Sequence, residues 1–295
     1  MRVAVTGARG YLGSNFIKLF GSDYEITGLG RGAASSEGIP GVEYVCCDYS
    51  MESLREALQG CDAIVHLAYA MATNDNEAGG PASYESSMEA TRNVLAVADE
   101  LGISNIVFAS SRLVYPAFSD RPFRESDTLK PQNHYANSKV MMEDLCEEYN
   151  SNGARIKVLR FGQIIGADMK VKGMFHVFMD KASKNEPLTL MGSDVRDYIH
   201  VKDACGAIDA SLRHPEACGI YNISMGSGVD NRIMADAVIE ALGSSSEILI
   251  KELENKKTPD RIILDCSKAK SELGFSCRYD SVLAIAKDVA EYGAQ

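Results

Sequence analysis

Tyr135 and Lys139, in the stretch His134-Tyr-Ala-Asn-Ser-Lys139-Val-Met-Met-Glu143, stand four residues apart, the spacing that stacks two side chains on one helix face. A free phenol keeps its proton up to a pH near ~10, and an ammonium beside it favours the ionised form. Such a pair can move a proton on or off an alcohol near neutral pH. Tyr-x-x-x-Lys also arises by chance on exposed helices, so its meaning rests on its surroundings. The first of these is Thr6-Gly-Ala-Arg-Gly10-Tyr-Leu-Gly13, which follows the apolar run Val3-Ala-Val5 and precedes Phe16-Ile-Lys-Leu-Phe20. A strand, a glycine loop and a helix in that order make a phosphate cradle. The glycines let the backbone approach a pyrophosphate, and the helix N-terminus offers free N–H groups. The second is Phe108-Ala-Ser110-Ser111-Arg-Leu-Val114-Tyr115-Pro116, which puts hydroxyl groups at the end of the apolar run Ile106-Val-Phe108.

Positioning these groups takes a frame, and the hydrophobic pattern predicts one. Strand-like runs at 2–6, 24–29, 42–46, 62–67, 104–109 and 155–160 alternate with helical runs at 13–20, 51–58, 84–101 and 134–149. Alternation of this kind predicts an α/β fold, a parallel sheet covered by helices on both faces, with ligands beyond the C-terminal strand ends. Thr6, His66, Ser111 and Arg160 all lie near such ends. After about residue 160 the pattern turns irregular, with a helix near 172–184 and mixed short elements. The expected organisation is a dinucleotide-binding domain over 1–165 and a smaller substrate lobe over 166–295, with segments such as 197–212 returning to the first domain. Met71-Ala-Thr-Asn-Asp-Asn-Glu-Ala-Gly-Gly80 reads as a polar, mobile loop near the site.

The 295 residues are 45% hydrophobic and 24% charged, the proportions of a globular protein in water. A net charge of −11 argues against nucleic acid or an anionic membrane as partner. No leader precedes the first strand and no apolar run spans a bilayer, so a cytoplasmic location is expected. The eight cysteines (46, 47, 61, 146, 205, 218, 266 and 277) form no Cys-x-x-Cys pair and read as buried free thiols. Asn222-Ile-Ser224 is a glycosylation sequon without meaning unless the chain is secreted. The five histidines show no metal-binding spacing, and no metal is expected.

Glycine loop, serine after a mid-chain strand and Tyr-x-x-x-Lys together resemble the extended short-chain dehydrogenase/reductases, and within them the NAD-dependent epimerase/dehydratase family that acts on nucleotide sugars. Further segments resemble that family in order along nearly the whole chain: Asp62-Ala-Ile-Val-His66-Leu-Ala68, Arg160-Phe-Gly-Gln163-Ile-Ile-Gly166, Arg196-Asp-Tyr-Ile-His200-Val-Lys-Asp203, Gly219-Ile-Tyr-Asn222-Ile-Ser and Leu264-Asp-Cys-Ser-Lys268. The resemblance implies a Rossmann-type doubly wound parallel sheet with a smaller C-terminal α/β substrate lobe. It makes Tyr135 the general acid/base, Lys139 the group that lowers its pKa and binds the nicotinamide ribose, and Ser111 the holder of the reacting oxygen. Cofactor would lie against Gly7, Gly10, Tyr11, Leu12 and Gly13 of the loop, Asp48 and Tyr49 after the third strand, Leu67 and Ala68 after the fourth, and Tyr135 and Lys139. Arg196 is implied as the ligand of the substrate diphosphate, with Gln163 standing where the family often has Asn; His176 and Arg261 are weaker diphosphate or sugar candidates. The bland alternative for Arg196 is a salt bridge to Asp197 or Asp203. His66 and His200 read as packed structural residues. A homodimer is implied through the helices at 84–101 and 134–149, whose apolar residues include Met88, Val94, Leu95, Ala98 and Leu101 on one and Val140, Met141, Leu145 and Tyr149 on the other.

Cofactor choice turns on the end of the second strand. An acid there normally binds the adenosine ribose, but the chain has Gly30-Arg31-Gly32, with Arg9 as a second cation in reach. Two arginines and no carboxylate favour NADP over the family's default NAD. Where the family's 4,6-dehydratases carry Thr-Asp-Glu this chain has Ser111-Arg112-Leu113, so the acids that would eliminate water are gone. The same stretch also resembles the GDP-fucose synthase family, with Leu113 in place of its epimerising cysteine. The reading is a nucleotide-sugar 4-epimerase, with an NADPH-dependent 4-ketoreductase as alternative. Two further alternatives are a cofactor-binding redox regulator, which Ser111, Tyr135 and Lys139 argue against, and a reductase of a non-nucleotide alcohol, which Arg196 argues against.

Overall fold

The computed structural model describes residues 1–295 except 32–38, 40–41, 71–80, 170–171, 252–258 and 294–295. The loop expected over 71–80 lies outside the described residues. Strands β1 (Arg2–Thr6), β2 (Glu25–Gly30), β3 (Glu43–Cys46), β4 (Ala63–His66), β5 (Asn105–Ser111) and β6 (Arg155–Phe161) follow the predicted runs within two residues at either end. The later strands are β7 (Gln163–Ile165), β8 (Leu188–Met191), β9 (Val195–Arg196), β10 (Tyr198–His200), β11 (Gly219–Ile223), β12 (Ile248–Lys251) and β13 (Arg261–Ile262). The helices are α1 (Tyr11–Phe20), α2 (Met51–Leu58), α3 (Pro81–Glu100), α4 (His134–Ser151), α5 (Met174–Ser183), α6 (Val201–Arg213), α7 (Asn231–Leu242), α8 (Ser267–Leu273) and α9 (Val282–Gly293).

One parallel sheet of seven strands runs in the order β11-β6-β5-β4-β1-β2-β3. Its central strands are apolar on both faces, as a sheet covered on both sides requires: Val3, Ala4 and Val5 of β1 and Ala63, Ile64 and Val65 of β4 are all fully buried. One face carries α1 and α6 with β10 and α8 beside them, and the other carries α2, α3 and α4. The chain after residue 165 therefore supplies both the seventh strand and a covering helix. A separate core forms from Phe175 and Phe178 of α5, Met234 and Val238 of α7 and Ile285 of α9. It packs around the two-stranded pair β8–β12.

Strand order reverses between β1 and β4, and a cleft opens at the C-terminal ends of strands whose crossovers diverge in this way. The described residues include no helix long and apolar enough to cross a membrane and no group of three metal-ligating side chains. All eight cysteines are free thiols, but Cys46 and Cys218 are exposed rather than buried. Both stand at the two outer strands of the sheet, β3 and β11, where one side has no neighbour to cover it. Of the apolar residues expected at a dimer contact, Met88, Val94, Leu95 and Ala98 are buried in the monomer's own core, while Met141 is 46% exposed.

Candidate active site

Gly7 leaves β1 with φ +68°, a left-handed conformation open to glycine and costly for other residues. A Cβ there would lie 3.0 Å from the Ala68 amide nitrogen, across the switch point. At Gly13 a Cβ would meet the Gly7 carbonyl oxygen at 2.4 Å. The loop is thus folded as tightly as backbone allows. It delivers α1 with Gly10 at its N-cap and no side chain closing the helix end. Thr6 ties the two strand ends together: its Oγ1 accepts from the amides of Leu67 and Ala68, both at 3.1 Å, and lies 2.7 Å from His66 Nδ1. His66 Nε2 reaches Thr91 at 3.0 Å, and burial holds its pKa down to about 3, so it is a neutral brace. His200 is held down to about 4, again mainly by burial, and its Nδ1 accepts the Lys202 amide at the start of α6.

A cavity of about 330 Å³ lies over this loop, lined by Gly7, Gly10, Arg31, Tyr49 and Ala68. It meets a second of about 690 Å³ at Leu67 and Tyr69. The second holds Leu12, Ser111, Tyr135, Lys139, Gln163 and Arg196 on its walls, so residues from β5, α4, β7 and β9 converge there. The cradle that a Cβ would fill and the open helix end fit a dinucleotide in the smaller cavity.

Ser111 closes β5 and Tyr135 opens α4, where Asn133 caps the helix by accepting the Ala136 amide at 2.8 Å. Ser111 Oγ accepts the Leu113 amide at 3.3 Å, and the Tyr135 ring stands edge-on to Tyr69 at 5.1 Å. Burial pushes the Tyr135 pKa up to about 12; the neighbouring Ser111 hydroxyl opposes this and Tyr69 adds to it. The expected depression of Tyr135 by Lys139 is not found. Lys139 Nζ donates to the Ala109 carbonyl at 2.7 Å and sits 4.8 Å from the Phe108 ring and 5.9 Å from the Tyr135 ring. Its charge is spent on a carbonyl and aromatic faces, and burial lowers its own pKa to about 8 against the pull of Glu143.

One turn beyond Lys139, Glu143 forms a buried ion pair with Arg160 at 2.6 Å, both side chains 2% exposed. Ser110 donates to Glu143, and Arg160 also reaches Tyr115 Oη at 2.8 Å. Tyr115 passes the chain on to Asn222 of β11 at 2.8 Å. This network ties α4 to β5, β6 and β11, and of its five members Ser110 alone lines the larger cavity.

Several predicted residues are placed differently from expectation. Arg196 pairs with Asp194 at 2.8 Å, not with Asp197 or Asp203. Asp197 is buried and accepts the amides of Leu264 and Gly226; Asp203 accepts those of Arg278 and Tyr279. Arg261 lies outside the cavity, donating to the Ser119 carbonyl from the β13–β9 pair. Asp48 is turned to the start of α2, accepting from the Ser50 amide at 2.8 Å and Ser53 Oγ at 2.9 Å, which holds its pKa down to about 2. Tyr11 donates to the Ala167 carbonyl at 2.9 Å. His176 lines the cavity and donates from Nε2 to the Gly166 carbonyl at 2.8 Å, leaving Nδ1 buried without a partner. Arg31 bonds Ser86 at 2.7 Å and lies over the Tyr49 ring, and Arg9 lies over Tyr44. Two cavity residues were not anticipated as ligands. Tyr69 was findable as the next large residue past the β4 end. In the sequence Arg112 reads only as a replaced acid, and nothing there says that it turns inward.

A parallel sheet that switches at a glycine cradle, with Ser, Tyr and Lys at the neighbouring strand end, defines a nucleotide-dependent dehydrogenase class. The model of the NAD dependent epimerase/dehydratase family matches residues 3–224, and the chain belongs to that family. It is an enzyme of the extended short-chain dehydrogenase/reductase type, in a family of nucleotide-sugar epimerases and dehydratases. Over 287 residues it is 28% identical to the low-salt glycan biosynthesis protein Agl12 of Haloferax volcanii, covering 92% of each chain. Among solved structures, the UDP-N-acetylglucosamine 4-epimerase of Bacillus cereus aligns with a TM-score of 0.86 at 28% identity, covering 99% of this chain and 96% of that one. The dTDP-glucose 4,6-dehydratase DesIV of Streptomyces venezuelae, solved with NAD bound, aligns with a TM-score of 0.83 at 26% identity over 100% and 98%.

Proposed function

We propose that the protein is an NAD(P)-dependent nucleotide-sugar epimerase of the 4-epimerase type. The observation that carries this is the convergence of Ser111, Tyr135 and Lys139 in a cavity that joins the glycine cradle at one end and presents Arg196. A bound NAD(P) supplies hydride transfer at the sugar carbon. Ser111 Oγ holds the reacting oxygen, and Tyr135 Oη takes or returns its proton. Lys139 leaves the Ala109 carbonyl to bind the nicotinamide ribose, and Arg196 and Gln163 hold the substrate's diphosphate. Ser111-Arg112-Leu113 supplies no acid for elimination of water. Incubation with UDP-, GDP- and dTDP-sugars, following sugar products and NAD(P)H absorbance, tests the reading. Epimerised product at constant absorbance is expected, and no turnover of any nucleotide sugar would overturn it.

The second reading, an NADPH-dependent 4-ketoreductase, is favoured by the adenosine end. A side chain added at Gly30 would meet nothing within 4 Å, leaving space for a 2′-phosphate beside Arg31. We expect NADP(H) to bind more tightly than NAD(H), and Arg31→Ala to erase the difference in calorimetry. Gly30→Asp should shift the preference towards NAD by adding a ribose acceptor and repelling the phosphate. Equal or tighter NAD binding by the wild type would reject the assignment, and net NADPH consumption with a keto-sugar would favour the reductase. A homodimer through α3 and α4 rests on the adjacency of the two helices and the exposed Met141; a monomer mass by light scattering at micromolar protein, with and without cofactor, would rule it out.

A further inference from the structure

We propose that Arg112 is a specificity residue that receives a carboxylate carried on the sugar, so that the substrates are nucleotide-linked acidic sugars. This rests on the nucleotide-sugar reading above and narrows its substrate class. Arg112 opens the short turn that continues β5, one residue after Ser111. It is 9% exposed and lines the larger cavity.

Its guanidinium has a poor set of partners. The one hydrogen bond it makes among the described residues goes to the neutral Gln163 Oε1 at 3.4 Å, and it has no ion pair among them. Asp197 and Asp260 favour its charge but form no ion pair with it. Asp197 accepts two backbone amides, Asp194 holds Arg196, and Asp260 is exposed at the protein surface. Burial weighs most against the charged guanidinium and Arg196 repels it, and the two carboxylates offset only part of that. A carboxylic acid or lysine in this position could discharge, but a guanidinium does not. A buried cation with no ion pair among the described residues is costly, and a ligand anion offsets that cost.

Two anions could arrive on a nucleotide sugar. The diphosphate has Arg196, on β9, as its cation in the proposed function. Arg112 instead follows Ser111 in the chain and lines the same cavity as Ser111 and Tyr135, with its guanidinium against Gln163. A carboxylate there would accept two parallel N–H bonds from the planar fork. Leu113 and the buried Phe175 form apolar wall in the same cavity, which keeps water from weakening that contact.

The test compares nucleotide sugars that differ only at C6, UDP-glucose and UDP-glucuronate, with UDP alone, by calorimetry on the NAD(P)-loaded protein. A charge-assisted hydrogen bond corresponds to roughly 10–100-fold in affinity. The wild type should bind the uronate tighter by about that ratio. Arg112→Gln should abolish the preference while changing UDP-glucose and UDP affinity less than about threefold, with no loss of thermal stability. Equal or weaker binding of the uronate by wild type overturns the proposal without touching the nucleotide-sugar reading. So does an Arg112→Gln variant that weakens UDP as much as the uronate, which would assign Arg112 to the diphosphate. If the wild type binds none of the three, nor their GDP and dTDP counterparts, the nucleotide-sugar reading fails and this inference with it.

Discussion

Tyr135→Phe is expected to lower turnover by about 10²–10⁴-fold, the range that general acid–base assistance supplies, with cofactor still bound. The ring stays, and with it the edge-on packing against Tyr69. What goes is the single ionisable oxygen of a residue that lines the cavity beside Ser111. Before ligands bind, burial holds that phenol near a pKa of about 12, so it carries its proton at neutral pH. Removing a proton from a sugar hydroxyl therefore requires positive charge to reach Tyr135 on cofactor binding. Lys139 is the nearest source, once it gives up the Ala109 carbonyl. Single-turnover rates and cofactor titration on the variant separate chemistry from binding. Activity within a few-fold of wild type would show that Tyr135 is not the acid/base.

Arg160→Met is expected to destabilise the protein by about 3–5 kcal/mol, the cost of leaving one member of a buried ion pair without its partner. In a chain of this length that corresponds to a fall in Tm of roughly 10 °C. Glu143 would keep its hydrogen bond from Ser110 but lose the guanidinium, and Tyr115 and the Glu125 carbonyl would lose a donor. A surface pair gives the contrast. Lys184→Ala breaks an exposed ion pair with Asp180 at the C-terminal end of α5, and no measurable change in Tm is expected. Denaturation followed by circular dichroism on both variants checks this. An Arg160→Met protein as stable as wild type would mean that the pair contributes nothing beyond what apolar packing replaces.

The sequence by itself determined what depends on neighbours in the chain. Gly7 and Gly13 are readable because the loop's conformation is local, and Tyr135 and Lys139 because four residues set a helix face. The first six strands are readable because they are short apolar runs, mostly buried except in the edge strand β3. Beyond residue 165 the elements are short, and their hydrophobic patterns no longer say which sheet they join. Gly219–Ile223 had been noticed as a family signature, but only pairing with β6 makes it the seventh strand. Charged side chains were the least legible, because several partners compete for each and only the folded geometry chooses among them. Tertiary structure chose Asp194 for Arg196, drew Arg160 inward to Glu143, and turned Asp48 to the start of α2. It left Arg112 inside the cavity with no carboxylate among the described residues. A charge interacts through space at a strength set by distance and local dielectric, and both are properties of the folded chain rather than of its order.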